Sequence, residues 1–155
     1  MGNPSEPKLL LVASSGGHLL ELSELIGDEC RRGREWVTFD KPDARSLLAD
    51  ERVWFAHGPT NRSIVKLLRN AVLALRLVRH LRPDAVISTG AGVGVPFLYA
   101  ARAFGRKAIY VESLARIDDI SLSGRLVYPV ASEFFVQWPE LAHRRRRARY
   151  AGAVL

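Results

Sequence analysis

Apolar residues fall along this chain in two rhythms. Short, nearly unbroken apolar runs at residues 8–13, 35–39, 52–55, 84–89, 107–111 and 132–136 have the length of strands buried on both faces. Between them, Leu19, Leu22, Leu25 and Ile26 recur at helical spacing over 18–32, and a longer amphipathic stretch fills 62–81 before Pro83 stops it. Pro96 suits the first turn of a further helix after the fourth strand. A polar segment beginning at Asp40 separates the second and third strands, and 148–155 offers a last short strand.

Strands alternating with helices through brief joints predict an α/β fold: a Rossmann-like parallel sheet with helices on both faces. Such sheets bind ligands beyond the carboxyl ends of their strands, where strand order reverses, commonly between the first and fourth strands. With 155 residues, 48% of them hydrophobic, the chain is expected to form a single domain over 8–155 after a disordered start at 1–7.

The joints after the first and fourth strands are both rich in glycine, "SSGGH" and "STGAGVG". Glycine lets the backbone approach an oxyanion, and the helix that follows presents unpaired N–H groups and the positive end of its dipole. Ser14, Ser15, Gly16 and Gly17, with Thr89, Gly90, Ala91 and Gly92, are therefore candidates to cradle a diphosphate. The competing reading is that any doubly wound sheet needs small residues in these turns. The dinucleotide pattern G-x-G-x-x-G is missing, because Gly16 and Gly17 are adjacent and no glycine follows before Gly27. Neither joint has the lysine followed by Ser or Thr of a nucleoside-triphosphate loop, so NAD and ATP are disfavoured and no cofactor is expected.

His18 opens the first helix, where a neutral imidazole can act as a base or hydrogen-bond a sugar. Glu112 follows the fifth strand and should project over the same edge; its plainer reading is a carboxylate at a helix start. Asp118 and Asp119 read as loop or capping residues. A lone Cys30 forms no internal disulfide, and no histidine or cysteine spacing suits a metal.

Charge adds a second theme. The formal net charge is +7, from 23 Lys and Arg against 16 Asp and Glu, which suits nucleic acid, an anionic membrane or phosphate-bearing substrates. On a helical wheel Arg62, Lys66, Arg69 and Arg76 fall with His80 on one side, around Leu73, with Val65, Val72 and Leu77 fringing them. The opposite, apolar side carries Ile64, Leu67, Leu68, Ala71, Ala74, Leu75 and Val78. Leucine amid arginine fits a helix lying at an anionic bilayer surface; the alternative is packing against neighbouring loops. "HRRRRAR" at 143–149 reads as a membrane-side or partner-side patch, since only Trp138 and Tyr150 supply the aromatic neighbours a single-strand binder would use. The apolar end, with Tyr150, Ala153, Val154 and Leu155, is expected to dock on a partner or a sheet edge. The longest uncharged run, 85–101, is broken by three glycines and Pro96, and the opening "MGNPSEPK" has no signal region, so a cytoplasmic location is expected.

Taken in order, "SSGGHLLEL", "STGAGVGVPF", "YVES.AR", "F.VQWPEL" and "YAGAVL" resemble the asparagine-linked glycosylation protein fourteen family, which includes bacterial polysaccharide proteins of the PssD and CpsF type. The resemblance spans residues 9–155. It implies a fold similar to the amino-terminal half of GT-B glycosyltransferases such as MurG, and a separate donor-binding glycosyltransferase subunit holding the UDP-sugar. The chain itself would bind a lipid-diphosphate-linked sugar acceptor and attach the pair to the anionic inner face of the cell membrane. Residue by residue, Gly16, Gly17 and His18 match the family's glycine-glycine-histidine loop, Gly90 and Gly92 its second glycine joint, and Glu112 its glutamate after the fifth strand. Eukaryotic relatives carry an amino-terminal membrane helix that has no counterpart here, so contact with the membrane would be peripheral. His18 is the first candidate for the base of an inverting hexosyl transfer and Glu112 the second. A non-catalytic membrane scaffold for the donor subunit is the competing reading, and a basic nucleic-acid-binding domain ranks below it.

Overall fold

The computed structural model describes residues 6–28, 30–59 and 63–154. Along the chain run β1 (Leu9–Val12), α1 (Gly17–Ile26), β2 (Arg34–Phe39), α2 (Pro42–Leu47), β3 (Val53–Ala56), α3 (Ile64–Leu81), β4 (Ala85–Ser88), α4 (Gly94–Ala103), β5 (Lys107–Val111), α5 (Leu122–Val127), β6 (Glu133–Val136), α6 (Pro139–Arg144) and β7 (Ala148–Tyr150). The strands form one parallel sheet in the order β3-β2-β1-β4-β5-β6-β7. The expected α/β, Rossmann-like sheet is therefore present, and its order reverses between β1 and β4. Val12 pairs with Val37 on one side and Ser88 on the other, so β1 and β4 end level and their loops leave side by side.

Alternation along the strands divides the core. Leu10 and Val12 face one way, into a layer with Ala74, Leu77 and Val78 of α3, Phe97 and Leu98 of α4, Val127 of α5 and Leu141 of α6. Leu9 and Leu11 face the other way, onto Leu19 and Leu22 of α1 and Ala44 of α2. Leu10, Leu11 and Val12 are fully buried, and truncating such a residue to alanine costs about 2–5 kcal/mol. Cover is uneven: α1 and α2 protect one face and four helices the other. On the thinner face Ile109 and Phe135 stay partly exposed and border a groove of ≈390 Å³.

Several elements depart from the sequence reading. The first helix stops at Ile26 instead of 32 because Gly27 turns the chain with φ 59°. The polar segment after Asp40 holds a helix, α2, with Pro42 in its first turn. α5 and α6 are two further six-residue helices, and α4 starts at Gly94, two residues before Pro96. Only glycine fits at 94, since a Cβ there would collide with Ser88 Oγ. The last strand is three residues long. Residues 1–5 of the expected disordered start lie outside the described residues.

On α3 the buried stripe only partly coincides with the apolar side of the wheel. The buried stripe is Asn70, Ala74, Leu77 and Val78, with Leu73 and Leu81 packed beside it. Ile64, Leu68 and Leu75 are exposed, Ile64 by 76%. Asn70 turns this helix inward: it is fully buried, accepts from His57 N–H at 2.8 Å and donates to His57 C=O at 2.9 Å, fixing the loop after β3. Ser63 caps the helix by accepting from Lys66 N–H, and Arg82 ends it in the left-handed region just before Pro83.

Candidate functional site

The loops after β1 and β4 are tied into one rim. Thr89 Oγ1 donates to the carbonyl of His18 at 2.7 Å, and Ser88 Oγ holds the amide of Gly90 at 3.3 Å. Gly90 adopts φ 119° and lies so close to the imidazole that a Cβ there would stand 3.3 Å from His18 Cε1 and 3.2 Å from the Tyr110 hydroxyl. Gly90 thus serves contact between the joints, where the glycine pattern suggests approach to an oxyanion.

Beyond this rim opens a crevice of ≈800 Å³ whose lining mixes polar Ser14, His18, Arg116, Ser121 and Ser123 with Ala91 and Gly92 of the second joint. Apolar side chains also line it, Leu67 of α3, Val95 of α4 and Leu122 and Leu126 of α5 among them. Ser14, His18, Ala91 and Gly92 therefore meet as expected. Ser15, Gly16 and Gly17 stand beside the crevice, but the Gly16 amide already donates to Asp43 of α2 at 2.8 Å. Thr89 is 1% exposed and uses its hydroxyl on His18, so it holds the rim together instead of offering a donor to a ligand. Arg116, absent from the sequence candidates, is exposed in the loop after β5 and brings a cation to the crevice.

Glu112 borders the same space, yet it is only 1% exposed. Its Oε1 accepts from Ser113 N–H at 3.1 Å and from the more distant Tyr110 hydroxyl; its Oε2 accepts from Ser121 N–H at 2.8 Å and Ser121 Oγ at 3.1 Å. Gly124 packs against Oε2 with no room for a Cβ, and Ser121 Oγ caps α5 by accepting from Gly124 N–H. With these donors on both oxygens, the carboxylate organises residues 113–124. Burial, chiefly, and the neighbouring carboxylate push the Tyr110 hydroxyl well above its ordinary value, so it remains a donor.

His18 has one ring edge hidden and one open. Its Nδ1 is buried without a hydrogen-bond partner, 3.7 Å from Glu21 Oε2, which is equally unpartnered. A third of the side chain stays exposed, and the residue lines the crevice.

The basic residues separate into two groups. On α3, Arg69 and Arg76 are exposed and flank a shallow apolar groove formed by Val65, Leu68, Val72 and Leu73, while Lys66 Nζ donates to Gly58 C=O. Leu73 is partly buried and packs on the core as well. Arg62 lies outside the described residues. The arginine run, by contrast, works within the fold. Arg144 donates to Asp118 C=O, Arg145 to Asp119, Arg147 to the carbonyls of Tyr128, Pro129 and Ala131, and Arg149 pairs with Glu133. These contacts tie the run to the fold, while His143, Arg144, Arg146, Arg147 and Arg149 stay exposed at the surface. At the chain's end Tyr150 is exposed, and Ala153 and Val154 line the ≈390 Å³ groove with Ile109 and Phe135. Val154 N–H reaches Gln137 Oε1 at 3.0 Å; Leu155 lies outside the described residues. Among the described residues no helix is long and apolar enough to cross a membrane.

Known proteins resemble this chain in sequence and in fold. The chain is 42% identical over 118 residues to the UDP-N-acetylglucosamine transferase subunit ALG14 of Eremothecium gossypii, a match covering 70% of this chain and 53% of that protein. The rat protein of the same name is 28% identical over 178 residues, covering 95% of this chain and 82% of its own length. Among solved structures, Acinetobacter baumannii MurG superposes with a TM-score of 0.72 at 19% identity, over 93% of this chain and 45% of MurG. A Staphylococcus aureus MnaA–UDP structure gives 0.75 at 14% identity, over 96% of this chain and 45% of MnaA. The chain thus has the fold of one half of these enzymes and spans about half the length of the Eremothecium relative. Residues 51–154 match the family described as oligosaccharide biosynthesis protein Alg14 like, and the chain belongs to that family.

Proposed function

We propose that this chain is the acceptor-binding, membrane-associating subunit of a two-part, UDP-sugar-dependent glycosyltransferase that extends a lipid-diphosphate-linked sugar. The observation that carries this reading is the crevice at the β1/β4 reversal, whose lining combines His18 and Arg116 with Leu67, Leu122 and Leu126. A ligand with an anionic head and a hydrocarbon tail suits such a mixed lining. Arg116 and the amides of Gly17, Ala91 and Gly92 would face the diphosphate, and the lipid would leave past Leu67 along the outer side of α3, whose Ile64, Leu68 and Leu75 are exposed beside Arg69 and Arg76. Such a helix supports peripheral attachment at the inner face of the cell membrane.

His18 Nε2 is the base. In an inverting transfer the acceptor oxygen bonds to the anomeric carbon, the bond to UDP breaks with its electron pair leaving on UDP, and the hydroxyl proton passes to Nε2. The donor site would belong to a separate subunit, a reading supported by the fold's likeness to half of MurG and by the relatives' names as transferase subunits. The uncovered groove at Ile109, Phe135 and the 151–154 tail is where that subunit would seat. The test is transfer from a UDP-sugar to a short-chain polyprenyl diphosphate saccharide with the donor subunit present. His18→Ala should lower the rate about 10²–10⁴-fold, and a near wild-type rate would reject His18 as the base.

A further inference from the structure

Glu21 is a buried carboxylate held from one side only. Its Oε1 accepts from Ser113 Oγ at 3.1 Å and from Leu114 N–H at 2.9 Å, joining α1 to the loop after β5. That leaves Oε2 fixed in place, buried and unpaired, 3.7 Å from an equally unpaired His18 Nδ1. Two orphaned polar atoms facing each other out of water are costly unless they satisfy one another. The gap exceeds a normal N–H···O separation by under about 1 Å, within reach of a small ring rotation.

The chemistry of the pair decides which hydrogen lies between them. An ionised carboxylate only accepts, so an Nδ1 lone pair would point against it, whereas Nδ1–H would donate to it. We propose that Glu21 is a positioning residue for His18: Oε2 keeps the ring proton on Nδ1, so that the Nε2 lone pair faces the crevice, ready to take the acceptor's hydroxyl proton. This rests on His18 being the base. As the proton arrives at Nε2, the positive charge that forms on the ring is faced by the carboxylate at Nδ1 and needs no reorganisation of solvent. The i,i+3 spacing of the two residues on α1 provides this geometry from a single helix turn.

Glu21→Gln tests the idea with little change of shape. The amide oxygen can keep the bonds from Ser113 and Leu114, while its NH₂ points at Nδ1 and demands a lone pair there. The ring should then carry its proton on Nε2, where it can no longer accept one. Nitrogen-15 spectra of histidine-labelled full-length protein, with His18 assigned from His18→Ala, should show Nδ1–H in the wild type and Nε2–H in Glu21→Gln. With the donor subunit, kcat should fall about 10²–10⁴-fold while KM for the acceptor stays within about twofold, as expected for a wrong tautomer. An Nε2–H wild type, an unchanged tautomer in the variant, or full kcat in Glu21→Gln beside an inactive His18→Ala would each overturn the proposal. An active His18→Ala would instead remove the base assignment, with the spectra still deciding the pairing.

Discussion

Thr89 Oγ1 donates to the backbone carbonyl of His18 across 2.7 Å, joining the ends of two neighbouring strands through residues 71 positions apart. Thr89→Val keeps the shape and removes the donor, so it should destabilise the protein by about 1–3 kcal/mol in urea denaturation. Thr89→Ser should recover most of that loss. Because the bond holds the His18 backbone in the first turn of α1, Thr89→Val should also slow transfer in the assay with the donor subunit.

Glu112 holds residues 113–124 through two backbone amides and the Ser121 hydroxyl. In Glu112→Gln the NH₂ group must face at least one of these donors, which leaves buried groups mismatched. We expect about 1–3 kcal/mol lower stability and earlier proteolytic cleavage within 113–124. Gly124→Ala should act in the same direction, because its new methyl would collide with Glu112 Oε2.

Arg34 and Glu51 form a buried pair, 2.6 Å apart, that also accepts Trp36 Nε1–H and binds Gly27 C=O. The hydrogen bond to Arg34 holds the Glu51 carboxyl below its usual range. Arg34→Met leaves that charge with only the longer contact to half-exposed Arg31 and the Trp36 donor, and should lower stability by up to about 3 kcal/mol. Arg34→Met with Glu51→Leu should restore most of it, measured as the midpoint of chemical unfolding.

Asp119 ties the loop after β5 to Arg145 and Arg125. The Arg145 hydrogen bond, then that from Ile120 N–H, bring its carboxyl from an ordinary 3.8 down to about 2. A carboxylate depressed in the folded state stabilises it fully above the unfolded value and loses that contribution as pH falls toward the folded one. Thermal unfolding should therefore move to lower temperature between about pH 4 and 2, and Asp119→Asn should flatten that part of the profile.

The outer side of α3 combines exposed Ile64, Leu68 and Leu75 with Arg69 and Arg76. Vesicles containing anionic lipid should sediment the protein and neutral ones should not. Arg69→Glu with Arg76→Glu should abolish sedimentation at physiological salt while leaving the unfolding midpoint near wild type.

The strands and the β1/β4 reversal were legible because each strand is an apolar run bounded by breakers, and both glycine joints follow one directly. The helices α2, α5 and α6 were not, since six residues make less than two turns and give no periodicity to read. On α3 the apolar pattern alone did not show the buried side: Asn70 faces inward because its amide satisfies His57, which carries Ile64 and Leu68 outward against their hydrophobicity. The contacts of the arginine run within the fold were not legible because its partners are mostly backbone carbonyls, which a sequence does not display. Glu21 was within reach, as the acid three residues after His18, but its burial depends on Ser113 and Leu114, more than ninety positions away.

Gln137 has its own consequence. Its side-chain nitrogen secures the carbonyl of Glu112, while its oxygen captures the amide of Val154. One planar group thereby joins Val154 to the residue that follows β5, so displacing residues 151–154 would loosen an anchor of the loop that carries Arg116.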